Sequence, residues 1–295
     1  MNGPFGIDHP LIASHDIVGL RNRLISLGFT MTPVGRHPWG TNTSLAMFPG
    51  CLIEIMGICD EALLDQHPAG AFRFGRHIQR HLAMREGVAL TALHSHDARA
   101  DARAARRAGL NLAGYLEFGR DVTLPDGRAG RTRTSLALLP NAAFPRLSFF
   151  LCQQHRPDLI YVPDWQDHAN TAQGIAGVTI RAEEADQRAI RRQLGALYGV
   201  PRDVPGGFCL ETANGTITGL TGAAIGTLYG PLPPDLVAQS DPGIVAMDIR
   251  VGCLDRAQAW CRKSGLDWRA GEHSVTLSNA AATANMFLRF VKSPA

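Results

Sequence analysis

Apolar and polar positions along this 295-residue chain change their period in a repeating order. From Gly6 to Ser14 a short run bounded by Gly and Ser reads as a strand. Ile17, Leu20, Leu24 and Leu27 then recur at spacings of 3, 4 and 3, the apolar stripe of a helix. Asp16 stands at its N-cap position, and Gly28 supplies the left-handed residue that stops it. Three strand-like runs follow at 29–34, 43–48 and 51–58, so the order is β-α-β-β-β. It returns with a strand at 88–93, a helix at 98–108 and strands at 115–118, 135–139 and 147–153. A third copy has a strand at 175–180, a helix at 184–198 and strands at 207–212, 216–220 and 224–229. The fourth has a strand at 244–249, a helix at 255–264 and strands at 267–270, 274–277 and 285–291.

Glycine marks the period. Gly6 and Gly28, Gly87 and Gly109, and Gly243 and Gly265 are each 22 positions apart, and Gly174 to Gly199 is a looser copy. One supersecondary unit is thus used four times. A single unit leaves one sheet face bare, so units must pair. The expected fold is α+β: four βαβββ units in two pairs, each pair a curved mixed sheet with its helices outside. The stretch 155–173, rich in Pro, Asp and His, reads as an inter-domain connection. It divides the chain into 1–160, with units 5–58 and 86–155, and 161–295, with units 173–230 and 242–292. Residues 59–86 form a long connector, helical around 72–84. The pattern does not fix which units pair.

Hydrophobic content of 45% with 19% charged residues belongs to a folded globular chain. The net charge is +3, and Arg99, Arg103, Arg106 and Arg107 alternate with Asp97 and Asp101 as on a solvated helix face. Nucleic acid is therefore not an expected partner. No run approaches the roughly 20 apolar residues of a membrane span, and the N-terminus lacks a signal-peptide pattern. Six cysteines without a Cys-x-x-Cys pair read as reduced core thiols, so the expectation is a cytoplasmic protein with no membrane partner.

Because the unit repeats, a residue found in one copy alone stands out. His9 and Glu54 are such residues. The place of His9 is taken by Leu90, Gly177 and Ala246, and the runs 147–153 and 285–291 carry no carboxylate. Glu54 lies between Ile53 and Ile55 in an apolar strand, where burial is costly without a compensating cation or donor. Alternate side chains of a curved sheet point into its hollow. His77 and His81, four apart on the connector helix, read as an exposed face. Ser95-His96-Asp97 read as capping residues at a helix start. Arg36, Arg133 and Arg146 are candidate anchors for an anionic substrate. Gly222, Gly226 and Gly230 lack the Lys-Ser/Thr of a phosphate loop and read as a tight turn or close packing.

The opening Gly-Ile-Asp-His-Pro-Leu-Ile-Ala, the segment Gly35-Arg36-His37-Pro38-Trp39-Gly40 and the strand Leu52-Ile53-Glu54-Ile55 resemble the glyoxalase-like domain proteins. That family lies in the vicinal oxygen chelate superfamily. The segment Gln166-Asp167-His168-Ala169-Asn170-Thr171-Ala172 resembles the same subgroup, which usually shows His-Pro-Asn there; Ala169 replaces the proline. The resemblance implies a divalent metal held by a first-strand His and a last-strand carboxylate, the places of His9 and Glu54. Such a set suits Fe(II), Mn(II), Ni(II) or Zn(II). For a third ligand, His37 and His168 lead because they sit in family-like segments, with His94, Gln153 and Glu117 as alternatives. Glu54 doubles as proton-transfer base in this reading, with His37 beside it. The implied activity is lyase, isomerase or dioxygenase chemistry on a small oxygenated molecule. The alternative is a non-catalytic protein that sequesters a hydrophobic or aromatic small molecule in a cavity lined by Trp39, Phe48, Phe149 and Phe150. The second half of the chain either walls the cavity or forms a homodimer surface.

Overall fold

The computed structural model describes residues 5–292. The first unit comprises β1 (Ile7–Ala13), α1 (Ile17–Ser26), β2 (Gly35–Arg36), β3 (Thr41–Phe48) and β4 (Cys51–Ile58). A connector helix, α2 (Phe74–Leu82), leads to β5 (Gly87–His94), α3 (Ala98–Arg107) and β6 (Gly114–Phe118). A small ribbon, β7 (Asp121–Thr123) and β8 (Ala129–Arg131), precedes β9 (Thr134–Leu139) and β10 (Phe149–Gln154). After α4 (Pro163–Gln166) come β11 (Ala172–Arg181), α5 (Glu184–Tyr198), β12 (Arg202–Val204), β13 (Gly207–Glu211) and β14 (Thr216–Leu220). Helices α6 (Gly222–Tyr229) and α7 (Pro234–Ala238) connect to β15 (Gly243–Val251), α8 (Leu254–Ser264), β16 (Trp268–Ala270), β17 (Ser274–Leu277) and β18 (Phe287–Lys292).

The first unit pairs with the second and the third with the fourth. One eight-stranded sheet runs β2-β3-β4-β1-β5-β10-β9-β6, and the other runs β12-β13-β14-β11-β15-β18-β17-β16. At each seam the two first strands are antiparallel, β1 with β5 and β11 with β15. Each first strand has the last strand of its own unit as a parallel neighbour. Every residue of β1 is buried, the polar Asp8 and His9 included, so neither face of this strand meets solvent. The result is an α+β fold with two curled sheets.

Helices α1, α3, α5 and α8 contribute to one core that joins both halves, including Leu24, Ala102, Ile190 and Cys261. On its other face the first sheet packs Phe74, Ile78 and Leu82 of α2. The second sheet likewise packs Ile225 and Tyr229 of α6 and Leu236 of α7. The connector helices of each pair thus plug part of a sheet's hollow and leave the rest open. No helix among the described residues is long and apolar enough to cross a membrane.

Local departures from the sequence reading have physical causes. Residues 29–34 are not a strand. Pro33 has no N–H to offer, and the segment meets β3 mainly through Thr32, whose N–H donates to the Leu45 carbonyl and whose Oγ1 accepts from the Leu45 N–H. Residues 224–229 are helix rather than strand. Thr221 caps α6 by accepting from the Ala224 N–H, and Ile225 and Tyr229 fall four apart on its buried side. His77 and His81 do not form an exposed face. His77 bonds the Ala89 carbonyl, and His81 is buried beneath the same helix. Asp97 does cap α3, accepting from the N–H groups of Arg99 and Ala100.

Candidate functional site

In the hollow of the first sheet, β4 lies between β1 and β3 with Glu54 level with both Leu11 and Leu45. This register turns the Glu54 carboxylate into the hollow. The β1–β5 pairing slips between Ile7 and His9, so Asp8 is an extra residue opposite β5. Such a bulge re-aims neighbouring side chains. It lets Asp8 Oδ1 reach His9 Nδ1 at 2.5 Å, although adjacent strand residues ordinarily point apart. His9 Nε2 then faces Glu54 Oε2 at 3.2 Å. His37, between β2 and β3, brings Nε2 to 4.0 Å from Glu54 Oε1, and its Nδ1 is 3.1 Å from Thr41 Oγ1. Thr43 donates its hydroxyl to Glu54 Oε1 at 2.6 Å. His37 stacks on Trp39 at 4.8 Å, with Phe118 edge-on at 5.7 Å. Phe150 packs edge-on to His9. Arg120 completes the lining, and the free space at the centre is about 60 Å³.

Burial opposes every charge here, and the partners decide the outcome. Burial alone would lower the His9 pKa, but Asp8 and Glu54 on its two sides raise it. Burial would raise Glu54, yet the hydrogen bond and charge of His9, with help from His37 and Thr43, hold it below the usual carboxylate range. His37 is pushed down to about 4 by burial, Arg120 and His9 against the pull of Glu54, so it is neutral at pH 7. The hollow therefore holds a cation between two carboxylates, with a neutral imidazole alongside. A divalent ion could take the place of the proton on His9 Nε2, because Asp8 already fixes the tautomer that presents Nε2 to Glu54. The 3.2 Å His9–Glu54 separation suits two ligands about 2 Å from one ion. The 4.0 Å gap to His37 is wider than that, and no three His, Cys, Asp or Glu side chains among the described residues are spaced to hold a metal.

The remaining expected residues lie elsewhere. His168 is not brought to the hollow. It is 3% exposed, its Nδ1 accepts from the Thr30 N–H at 3.0 Å and its Nε2–H donates to the Met47 carbonyl at 2.7 Å. With both ring nitrogens spent on backbone, it is a staple rather than a ligand. Asn170 continues the staple by donating to the Leu27 carbonyl. His94 bonds the Gly50 carbonyl and lies 3.6 Å from Asp8 Oδ2. Gln153 accepts from the Ala98 N–H at the start of α3, and Glu117 pairs with Arg133 and Ser135 at the surface. Arg146 is buried against Asp241 and Gln239 of the second half, and Arg36 is exposed. Phe48 and Phe149 belong to the core behind the sheet, while Trp39 and Phe150 line the hollow.

Sequence reasoning missed Asp8, Thr41, Thr43, Phe118 and Arg120. Thr41 and Thr43 share parity along β3, a usable signal for one face. Asp8 depends on the bulge and Arg120 on the turn before β7, and neither is written in a period.

A family model described as a glyoxalase-like domain matches residues 7–197. The chain belongs to that family. Its place in the vicinal oxygen chelate superfamily agrees with the paired units and curled sheets. Among solved structures, this glyoxalase-like chain is similar to a hypothetical protein from Staphylococcus aureus, with TM-score 0.68 and 10% identity over 98% of this chain and 100% of that one. It is also similar to a triple mutant of 4-hydroxymandelate synthase from Streptomyces coelicolor, with TM-score 0.56 and 14% identity over 98% and 93%. A xylose isomerase-like TIM barrel/4-hydroxyphenylpyruvate dioxygenase fusion protein matches with TM-score 0.59 and 12% identity, over 99% of this chain and 50% of that one. At such identities the likeness concerns the fold alone. No curated protein matches in sequence.

Proposed function

We propose that the first hollow is the active site of a divalent-metal-dependent enzyme acting on a small oxygenated molecule by lyase, isomerase or dioxygenase chemistry. One observation carries this reading. His9 Nε2 and the Glu54 carboxylate converge, His37 Nε2 stands beside them, and each is steadied from behind by Asp8, Thr43 or Thr41. His9 and Glu54 would hold Fe(II), Mn(II), Ni(II) or Zn(II), and His37 would close in as third ligand in place of His168. The ion supplies Lewis acidity toward a substrate oxygen. Glu54 would receive a substrate proton at its carboxylate. Arg120, held near Glu54 on the hollow wall, binds negative charge on the substrate. Trp39, Phe118 and Phe150 exclude water and pack an apolar body.

The test is elemental analysis of untagged protein after anaerobic reconstitution, beside a His9→Ala, Glu54→Ala double variant. About one ion per chain, lost in the double variant, is expected under ligand control by these residues. Absence of metal in the parent protein, or equal metal in both, overturns the assignment. The sequestering alternative draws on the aromatic lining and on the wide His37–Glu54 gap. It predicts saturable binding of an aromatic probe by the parent protein without metal and without turnover.

A further inference from the structure

The four units can be compared strand by strand. In the parallel pair of each unit, the last-strand residue level with Leu11, Ala92, Thr179 or Asp248 is Glu54, Phe150, Thr218 or Arg289 respectively. Glu54 and Phe150 line the first hollow, and Thr218 and Arg289 line a hollow in the second sheet. The second hollow therefore presents, at the same topological places, a different polar set. Arg289 Nε donates to Asp248 Oδ1 at 2.9 Å, and its Nη2 bonds Asp248 Oδ2. Tyr229 donates to Asp248 Oδ1 at 3.2 Å and shares a hydrogen bond with Thr179 at 2.8 Å. The guanidinium also lies over the Tyr229 ring, 4.8 Å from its centre. Asp248 and Tyr229 thus fix the guanidinium plane, while Nη1 makes no hydrogen bond among the described residues. A guanidinium has five N–H donors in a rigid fork, and this arrangement leaves its outer edge for a ligand.

The free volume of this second hollow is about 600 Å³, within the range of small-molecule sites and far above that of the first hollow. Val204, Leu220 and Leu228 give it apolar walls. Arg202 also lines it, exposed and without an ion pair among the described residues. Two arginines against one aspartate leave one positive charge to be matched.

We propose that the second hollow is a separate binding site for a small monocarboxylate with an apolar aryl or alkyl body. The carboxylate takes the free edge of Arg289, Arg202 draws it in, and the body lies against the apolar walls. The site needs neither His9 nor Glu54.

The probe is 4-fluorobenzoate, followed by fluorine NMR titration of the full chain, with 4-fluorobenzamide as its uncharged counterpart. Saturable binding at one site per chain is expected, with the amide about tenfold weaker or worse. Arg202→Gln and the charge-neutral double variant Asp248→Asn, Arg289→Gln should each weaken 4-fluorobenzoate about tenfold or more, while Glu54→Gln leaves it unchanged. Arg202 is exposed, so its variant keeps the test decisive if the double variant does not fold. Absence of saturable binding, equal affinity for acid and amide, or loss of binding in Glu54→Gln overturns the proposal.

Discussion

Replacing His168 separates a ligand from a staple. The ring lies between Phe29 and Phe48 at 5.8 and 4.8 Å, and its two nitrogens serve the Thr30 N–H and the Met47 carbonyl. His168→Ala strands both backbone groups, at about 1–3 kcal/mol each if water does not reach them. Removing the ring adds about 1–2 kcal/mol of lost apolar burial. The terms span about 3–8 kcal/mol, and water reaching either freed backbone group brings the expected total to the lower part, about 3–5 kcal/mol, at the upper end for one substitution. In thermal unfolding this is a drop of roughly 10 °C for a chain of this size. His168→Phe restores ring volume without the hydrogen bonds and should recover only the smaller part. A pH series adds a second readout. Burial lowers the folded-state pKa of His168 below its ordinary 6.5, against smaller opposing effects of Met47 and Asp167. Its stabilisation is therefore complete above pH 6.5 and lost as pH falls through the folded value. His168→Phe should flatten that part of the acid slope. Metal content should not change in either variant. A folded His168→Ala protein that keeps its melting temperature but loses bound metal would refute the staple and restore the ligand.

Asp8→Asn keeps an acceptor for His9 Nδ1 but removes the charge behind it; metal affinity should fall about 10–100-fold, by competition with a chelating indicator, with circular dichroism unchanged. Gly28 has φ +85°, and a Cβ there would meet the Trp260 ring at 2.8 Å, so Gly28→Ala should cost about 2–4 kcal/mol in urea unfolding. Gly109→Ala, at φ +90° with nothing within 4 Å, should cost only about 1–2 kcal/mol; equal costs would discount the contact between α1 and α8. Asp241 pairs with the buried Arg85 and Arg146 across the two halves. Asp241→Asn should cost about 2 kcal/mol in the same assay, less than a fully buried pair because solvent reaches Asp241, and no change would assign that junction to packing alone.

The order of elements is legible because each unit is written in two clear periods and stopped by glycine. Gly28, Gly109, Gly199 and Gly265 all have positive φ at helix ends. Cys51–Ile58 and Glu184–Tyr198 fall where the periods place them, whereas 29–34 does not, since one proline removes the donor that the pattern assumes. His9 and Glu54 are legible for a different reason: they depart from a repeat that supplies three internal controls. His168 misleads because a histidine that ligates and one that bonds backbone share the same sequence context. Only the path of the chain beside Thr30 and Met47 tells them apart. Asp8 and Arg120 are silent because a bulge and a turn, not a period, aim them.

The same repeat that exposes His9 and Glu54 also contains Asp248 and Arg289, at places equivalent to Leu11 and Glu54. A search for imidazole and carboxylate reads that pair as a site that has lost its ligands. Its side chains are only 16% and 18% exposed, and such burial of a charge pair is costly unless further hydrogen bonds complete it. Tyr229 and Thr179 supply those bonds. A hollow that had merely lost its ligands would be expected to fill with apolar side chains, as Phe150 does at the corresponding place in the second unit. The fourth unit instead keeps a fixed guanidinium beside open space. That difference between two copies of one scaffold argues that each sheet holds its own chemistry, with imidazole beside carboxylate lining the first hollow and not the second.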